Sequence, residues 1–218
     1  MNVVMLGPPG AGKGTQAQRL SRVLNVPVIA SGDIFREIRQ EDTPLAAQVR
    51  SIMDRGEYVP DELTIEIVLQ RLAEPDARDG FILDGFPRTQ GQARALDKSL
   101  EDKGQRVDAA LYITAPTAVL EARLGGRVVC PQCHAVYNLV TNPPKNDMIC
   151  DVCGHKVERR TDESPAVIHR RLTTFKEQTK PIVNYYREQG VLHEIDGSRP
   201  FAEVEETVDR ALKVGERT

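Results

Sequence analysis

The stretch MLGPPGAGKGT, Met5 to Thr15, decides how the rest of this chain is read. The apolar run Val3 to Leu6 stops at Gly7, and after Lys13 apolar residues return at Ala17, Leu20, Val23 and Leu24. A short unbroken apolar run followed by helical spacing predicts a strand, a tight turn and a helix. Between them, Gly7-Pro8-Pro9-Gly10-Ala11-Gly12-Lys13 fits the pattern G-x-x-x-x-G-K. Glycines let backbone N–H groups converge on phosphate oxygens, the helix N-terminus adds positive potential, and Lys13 adds a full charge near the β- and γ-phosphates. One residue departs from the usual form of this loop. Gly14 stands where a Ser or Thr would touch Mg²⁺, and Thr15, one place later, is rotated by about 100° round the helix. Mg²⁺ is therefore expected to be held largely through water.

Working outward, further short apolar runs occur at 26–31, 80–85, 107–114 and 190–196, separated by longer segments with helical spacing. Strands alternating with helices predict an α/β fold, a parallel sheet covered on both faces. A last helix is expected over 200–214, opened by a proline. Two regions break the alternation. Residues 31 to about 60 hold two helical segments, Ile34–Gln40 and Leu45–Arg55, with no strand between them. From Gly126 to about Glu163 the helical period vanishes, a turn is signalled at Asn142-Pro143-Pro144, and all four cysteines lie there. This reads as a small β module. The helix from Pro165 to about Glu188 contains Pro181, which is expected to kink it or end a segment near Thr179.

Composition narrows the functional classes. The chain has 218 residues, enough for one core domain with inserts, and 29 Lys+Arg against 32 Asp+Glu give a net charge of −3. That balance argues against a general nucleic-acid or membrane-surface binder, so any anion site is local. The N-terminal segment has no basic and apolar leader pattern, and no run of about eighteen apolar residues occurs, so a cytoplasmic location is expected.

In a reducing compartment the cysteines are read for metal chemistry. Cys130-x₂-Cys133 and Cys150-x₂-Cys153 are separated by sixteen residues, a spacing that sets two thiolate-bearing turns opposite each other round one tetrahedral ion, with zinc the expected metal. CPQCH also fits covalent haem attachment, but the second C-x-x-C and the lack of an export signal weigh against it. Neither pair opens a helix after a strand, as a redox pair would. His134 and His155 are alternative ligands, although four thiols already close a structural site. About forty residues cannot bury enough apolar surface to fold alone, so a metal clip would replace the missing core.

GPPGAGKGT, SGDIFRE (31–37), LDGFPRTQGQA (83–93) and a late R-x-D-E (160–163), in that order, resemble adenylate kinase, the long-lid form of the nucleoside monophosphate kinases. The similarity runs from residue 1 to about 205. It implies a P-loop nucleotide kinase core made of 1–30, 60–125 and 164–218, a helical AMP-binding insert at 31–59, and a zinc-ribbon-like lid at 126–163. The implied reaction is Mg²⁺-dependent transfer of the terminal phosphoryl group of ATP to AMP, giving two ADP, by a monomer.

Such an acceptor changes which residues matter. Asp33 and Asp84 are candidates for the general base that a water or alcohol acceptor needs, but a monophosphate needs none, because its second pKa of about 6 leaves it ionised at pH 7. Catalysis reduces to positioning two anions and neutralising their repulsion, a task for arginines. Arg36, Arg88, Arg123, Arg127, Arg160 and Arg171 cluster at the boundaries of the inserts. By the resemblance, Arg36 and Arg88 bind the AMP phosphate, while Lys13, Arg127, Arg160 and Arg171 close on the transferring group and Arg160 and Arg171 also reach AMP. The same resemblance places Ser31, Glu57, Tyr58, Val59, Gly85, Phe86, Pro87 and Gln92 at AMP, with the Gln92 amide pairing the base. Gly10 to Thr15, Arg123, Arg127, Val136, Tyr137 and the Arg199 backbone are placed at ATP, Arg123 by stacking on adenine. Asp84, and Asp33 like it, would position Mg²⁺ through water. A kinase for another monophosphate, a zinc-ribbon adaptor switched by nucleotide, and a nucleotide hydrolase are the competing readings. The hydrolase lacks a recognisable water-orienting Gln or Glu, and the adaptor lacks a basic, aromatic stripe.

Overall fold

The computed structural model describes residues 1–133, 135–160 and 164–214; His134, Thr161 to Glu163 of the R-x-D-E motif, and the tail at 215–218, expected to be disordered, lie outside the described residues. Along the chain, β1 (Asn2–Leu6) leads through the glycine loop to α1 (Lys13–Leu24) and β2 (Val28–Ala30). Helices α2 (Ser31–Ile38), α3 (Pro44–Asp54) and α4 (Asp61–Arg71) follow, then β3 (Phe81–Asp84), α5 (Gln90–Glu101), β4 (Ala109–Thr114) and α6 (Thr117–Gly125). Three short strands come next, β5 (Arg127–Val129), β6 (Val136–Asn138) and β7 (Glu158–Arg159). The chain closes with α7 (Pro165–Thr174), α8 (Lys180–Glu188), β8 (Leu192–Asp196) and α9 (Phe201–Leu212).

Every expected apolar run is a strand of one five-stranded parallel sheet, ordered β2-β3-β1-β4-β8. Alternate residues of a strand point to opposite faces. Val3 and Met5 of β1 enter one apolar cluster with α1, α6, α7 and α9, while Val4 and Leu6 enter a second with α4, α5 and α8. Both faces are buried, which is why β1 reads as an unbroken apolar run. Parallel strands carry their C-terminal ends to one edge, so the loops after β1 and β3 meet there, with Met5 in register with Asp84.

The two irregular regions are inserts into this frame. In the helical one, Thr43 caps α3 by accepting the Ala46 N–H at 3.1 Å, and Pro44 takes the first turn. Helix α2 starts at Ser31, directly on the end of β2 and earlier than the apolar spacing placed it. Phe35, Val49 and Val59 form the insert's core, and Leu63 and Ile67 of α4 pack against it. The second insert is an antiparallel three-stranded sheet, β6-β5-β7, over a small core of Val128, Cys130, Tyr137, Cys150 and Val157.

Pro181 acts as expected, with a local form that spacing alone did not give. Between α7 and α8, Phe175–Thr179 forms a π-turn. Proline has no N–H for the usual bond four residues back and its ring crowds that carbonyl, so a widened turn relieves both. Ile168 and Leu172 of α7 lie in the first apolar cluster, whereas Ile182 and Tyr186 of α8 lie in the second.

Candidate active site

The glycine loop spans β1 and α1 as its pattern requires. Gly12 caps α1 in the left-handed region, at φ 100°, where a side chain would be strained. Lys13 folds back over the loop and donates to the Pro8 carbonyl at 2.9 Å. Burial lowers its ammonium to about 8; the Asp84 carboxylate opposes that shift, while Arg88, Arg127 and Arg171 add to it. Those groups come from the end of β3 and the turn after it, the start of the lid and α7, so charges far apart in sequence converge on one lysine. The departure at Gly14 also has a spatial counterpart. A Cβ there would lie 3.3 Å from Oδ2 of Asp84, so the loop leaves room for a carboxylate from β3 where related loops carry a hydroxyl.

Beside the loop is a cleft open to solvent, lined by residues of α2, of the segment before α4, of the turn after β3 and of α7. All residues expected at AMP line it except Phe86 and Pro87. Phe86 is fully buried among α4, α5 and α8 residues, and Pro87 is buried beside it, so they support the turn that carries Arg88. Arg88 donates through Nε to the Gly85 carbonyl at 2.6 Å and stands 4.7 Å from the centre of the Tyr58 ring, a cation–π contact. The Tyr58 hydroxyl reaches Thr179 of the π-turn at 2.9 Å. Ser31 donates to the same Gly85 carbonyl at 2.7 Å. Arg36 pairs with Asp33 one turn earlier on α2, which gives that aspartate a cationic partner. Gln92, 1 % exposed, is hydrogen-bonded to the Arg88 backbone and to Asp61.

Gly32, Phe35, Met53, Gly56 and Thr64 also line the cleft and were not singled out in the sequence. Phe35, four places after Ser31 on one helix face, was open to that inference; Gly56 was not, because its reason is a distant contact. A Cβ on Gly56 would lie 3.3 Å from both Val167 and Arg171 of α7.

The residues expected at ATP are less closely grouped. Arg123 donates to the Gly197 carbonyl at 2.8 Å, and a Cβ on Gly197 would lie 2.8 Å from the Ala11 carbonyl, so the residue that holds this arginine packs on the phosphate loop. Gly197 itself gave no signal in the sequence. Arg199 is largely exposed, with Asp196 and Glu203 beside it. Val136 is half exposed on the lid. The Tyr137 ring lies in the lid core, and its hydroxyl accepts the Asp151 N–H at 2.8 Å and meets the Cys150 sulfur at 3.4 Å. Any contact of Tyr137 with adenine therefore runs through its backbone.

The four cysteine sulfurs lie within 4.8 Å of one another, with Cys130–Cys153, Cys133–Cys150 and Cys133–Cys153 at 3.4 Å. A disulfide would need about 2.05 Å. Four sulfurs at about 2.3 Å from a central ion are separated by slightly less than 4 Å, so this donor set fits a tetrahedral metal. Each turn is closed by backbone bonds, Cys130 N–H to Ala135 at 2.9 Å and Gly154 N–H to Cys150 at 2.9 Å. Among the described residues, no helix is long and apolar enough to cross a membrane.

The family described as Adenylate kinase matches residues 5–191. The adenylate kinase of Moorella thermoacetica is 49% identical over 212 residues, 97% of this chain and 98% of that protein. Those of Clostridium tetani and of a Staphylococcus epidermidis strain are each 46% identical, over 97% and 94% of this chain and 98% and 95% of theirs. Likeness of that degree from end to end takes in the sheet, both inserts and the loop together, and the chain belongs to the adenylate kinase family.

Proposed function

We infer that the chain is an ATP:AMP phosphotransferase, reversibly converting ATP and AMP into two ADP. The observation that carries this reading is the convergence on Lys13 of Asp84, Arg88, Arg127 and Arg171 from separate segments, beside a cleft lined by the AMP-site residues. The loop from Gly10 to Thr15 is proposed to cradle the ATP phosphates, and Arg36 and Arg88 to hold the AMP phosphate. Arg127, Arg160 and Arg171 would neutralise the charge that spreads over the transferring group. The acceptor is already an anion, so no proton has to leave it, and the residues act by position and charge. With water kept out by the lid, the phosphoryl group passes to AMP instead of being hydrolysed.

Magnesium brought with ATP would screen the phosphates, and Asp84, with Asp33, is proposed to hold its water shell. Zinc is proposed in the four-cysteine site, where it would tie the two turns of the lid and take no part in the chemistry. We further propose the division into core, 31–59 insert and 126–163 lid, a monomeric state and a cytoplasmic location. The test is to supply Mg²⁺ and ATP with AMP, CMP, GMP or UMP in turn and to follow diphosphate formation. AMP should be the best acceptor. Preference for another monophosphate, phosphate release without any acceptor, or no diphosphate at all would overturn the assignment.

A further inference from the structure

We propose that Asp61 is a positioning residue for base selectivity: it fixes which way round the Gln92 amide faces the acceptor, and so selects a 6-amino over a 6-oxo purine. The inference rests on the reading above that Gln92 meets the acceptor base. Gln92 is almost fully buried and lines the cleft. Its Oε1 accepts the Arg88 backbone N–H at 2.7 Å, and its Nε2 donates to Oδ1 of Asp61 at 2.8 Å. A backbone N–H can only donate and a carboxylate can only accept. Turning the amide over would set NH₂ against N–H and oxygen against carboxylate, so these two neighbours admit one orientation.

Asp61 is itself held in place. It opens α4, and its other oxygen accepts the Thr89 hydroxyl. Thr89 in turn caps α5 by accepting the Gln92 backbone N–H at 3.2 Å. The carboxylate fits because position 91 is glycine, whose absent Cβ would lie 3.3 Å from Oδ2.

With one bond used at each end, the amide oxygen keeps a lone pair and the nitrogen keeps a hydrogen. In the fixed orientation they offer an acceptor and a donor side by side. Adenine presents a donor at N6 beside an acceptor at N1 and matches. Hypoxanthine and guanine present an acceptor at O6 beside a donor at N1, and match only the overturned amide.

The experiment measures kcat/KM with ATP for AMP and for IMP in the unmodified chain, Asp61→Asn, Asp61→Ala and Gln92→Leu, each checked by thermal melting. Either Asp61 substitution removes a neighbour that only accepts, and the AMP:IMP ratio should fall by about tenfold. A merely structural Asp61 would lower both acceptors alike and leave the ratio where it was. If Gln92→Leu lowers the ratio and neither folded Asp61 variant does, the role of Asp61 is overturned while the base-reading role of Gln92 stands. If Gln92→Leu leaves the ratio unchanged, the reading of the site fails and the proposal with it. Using two Asp61 substitutions keeps the question answerable if one of them does not fold.

Discussion

The two inserts frame the same site and are held together by different means. Phe35 of α2, Val49 of α3 and Val59 just before α4 pack with Leu63 and Ile67 of α4, so the insert's apolar core runs into the frame. Among the described residues the lid has five buried ones in its core, two of them cysteines, and leaves Val140 and Val152 largely exposed. Burial of apolar area stabilises the first; a cluster of metal donors is the main resource of the second. The order of one therefore follows temperature and solvent, and that of the other should follow metal supply and thiol oxidation as well.

The largest effect should come from a residue in neither insert. Replacing Lys13, where charges from the lid and the turn after β3 converge, by Met should lower kcat by about 10³ without lowering the melting temperature, since the substitution removes a buried charge. If only one half-reaction's KM moved, the two sides would not share this lysine. Next, Cys150→Ser or removal of metal by a chelator should cost the lid several kcal/mol. Protease cuts should then appear between residues 126 and 163 with the helical insert still protected; a lid that stayed resistant would erase the contrast. Val49→Ala, at a fully buried site in the helical insert, should cost about 2 kcal/mol, read by denaturant melts, and the cost should be the same with or without chelator.

The smallest effect concerns pH. Free Lys13 titrates near 8 instead of 10.5 because its charged form is disfavoured in the folded loop. Bound phosphate favours the charged form and raises that value, so nucleotide binding takes up a proton between the two. Affinity for ATP should be flat below pH about 8 and weaken several-fold by pH 9, with proton uptake measurable by calorimetry in buffers of different ionisation enthalpy. The same lysine makes the free protein relatively more stable as pH rises from about 8 towards 10.5, since the unfolded chain then holds the proton more tightly.

What could be read beforehand follows from the range of each interaction. The strands, the loop and the thiol pairs are local patterns, and they appeared where periodicity and spacing put them. The opposite facings of Val136 and Tyr137 follow from the strand they share, where adjacent side chains alternate between faces. Beyond reach was the meeting of Gly14 with Asp84, seventy positions apart, which depends on β1 pairing with β3. The same holds for Asp61 with Gln92 and Gly56 with α7. Each is a contact between segments whose own sequences carry no mark of the partner.

The widened turn before Pro181 lets one nearly continuous helical stretch change sides. Its first half is bedded in one layer of packing and its second half in the other. Neither layer can loosen without pulling on a rod rooted in both, so heat should release the two sides of the sheet in a single step instead of peeling them away one after the other.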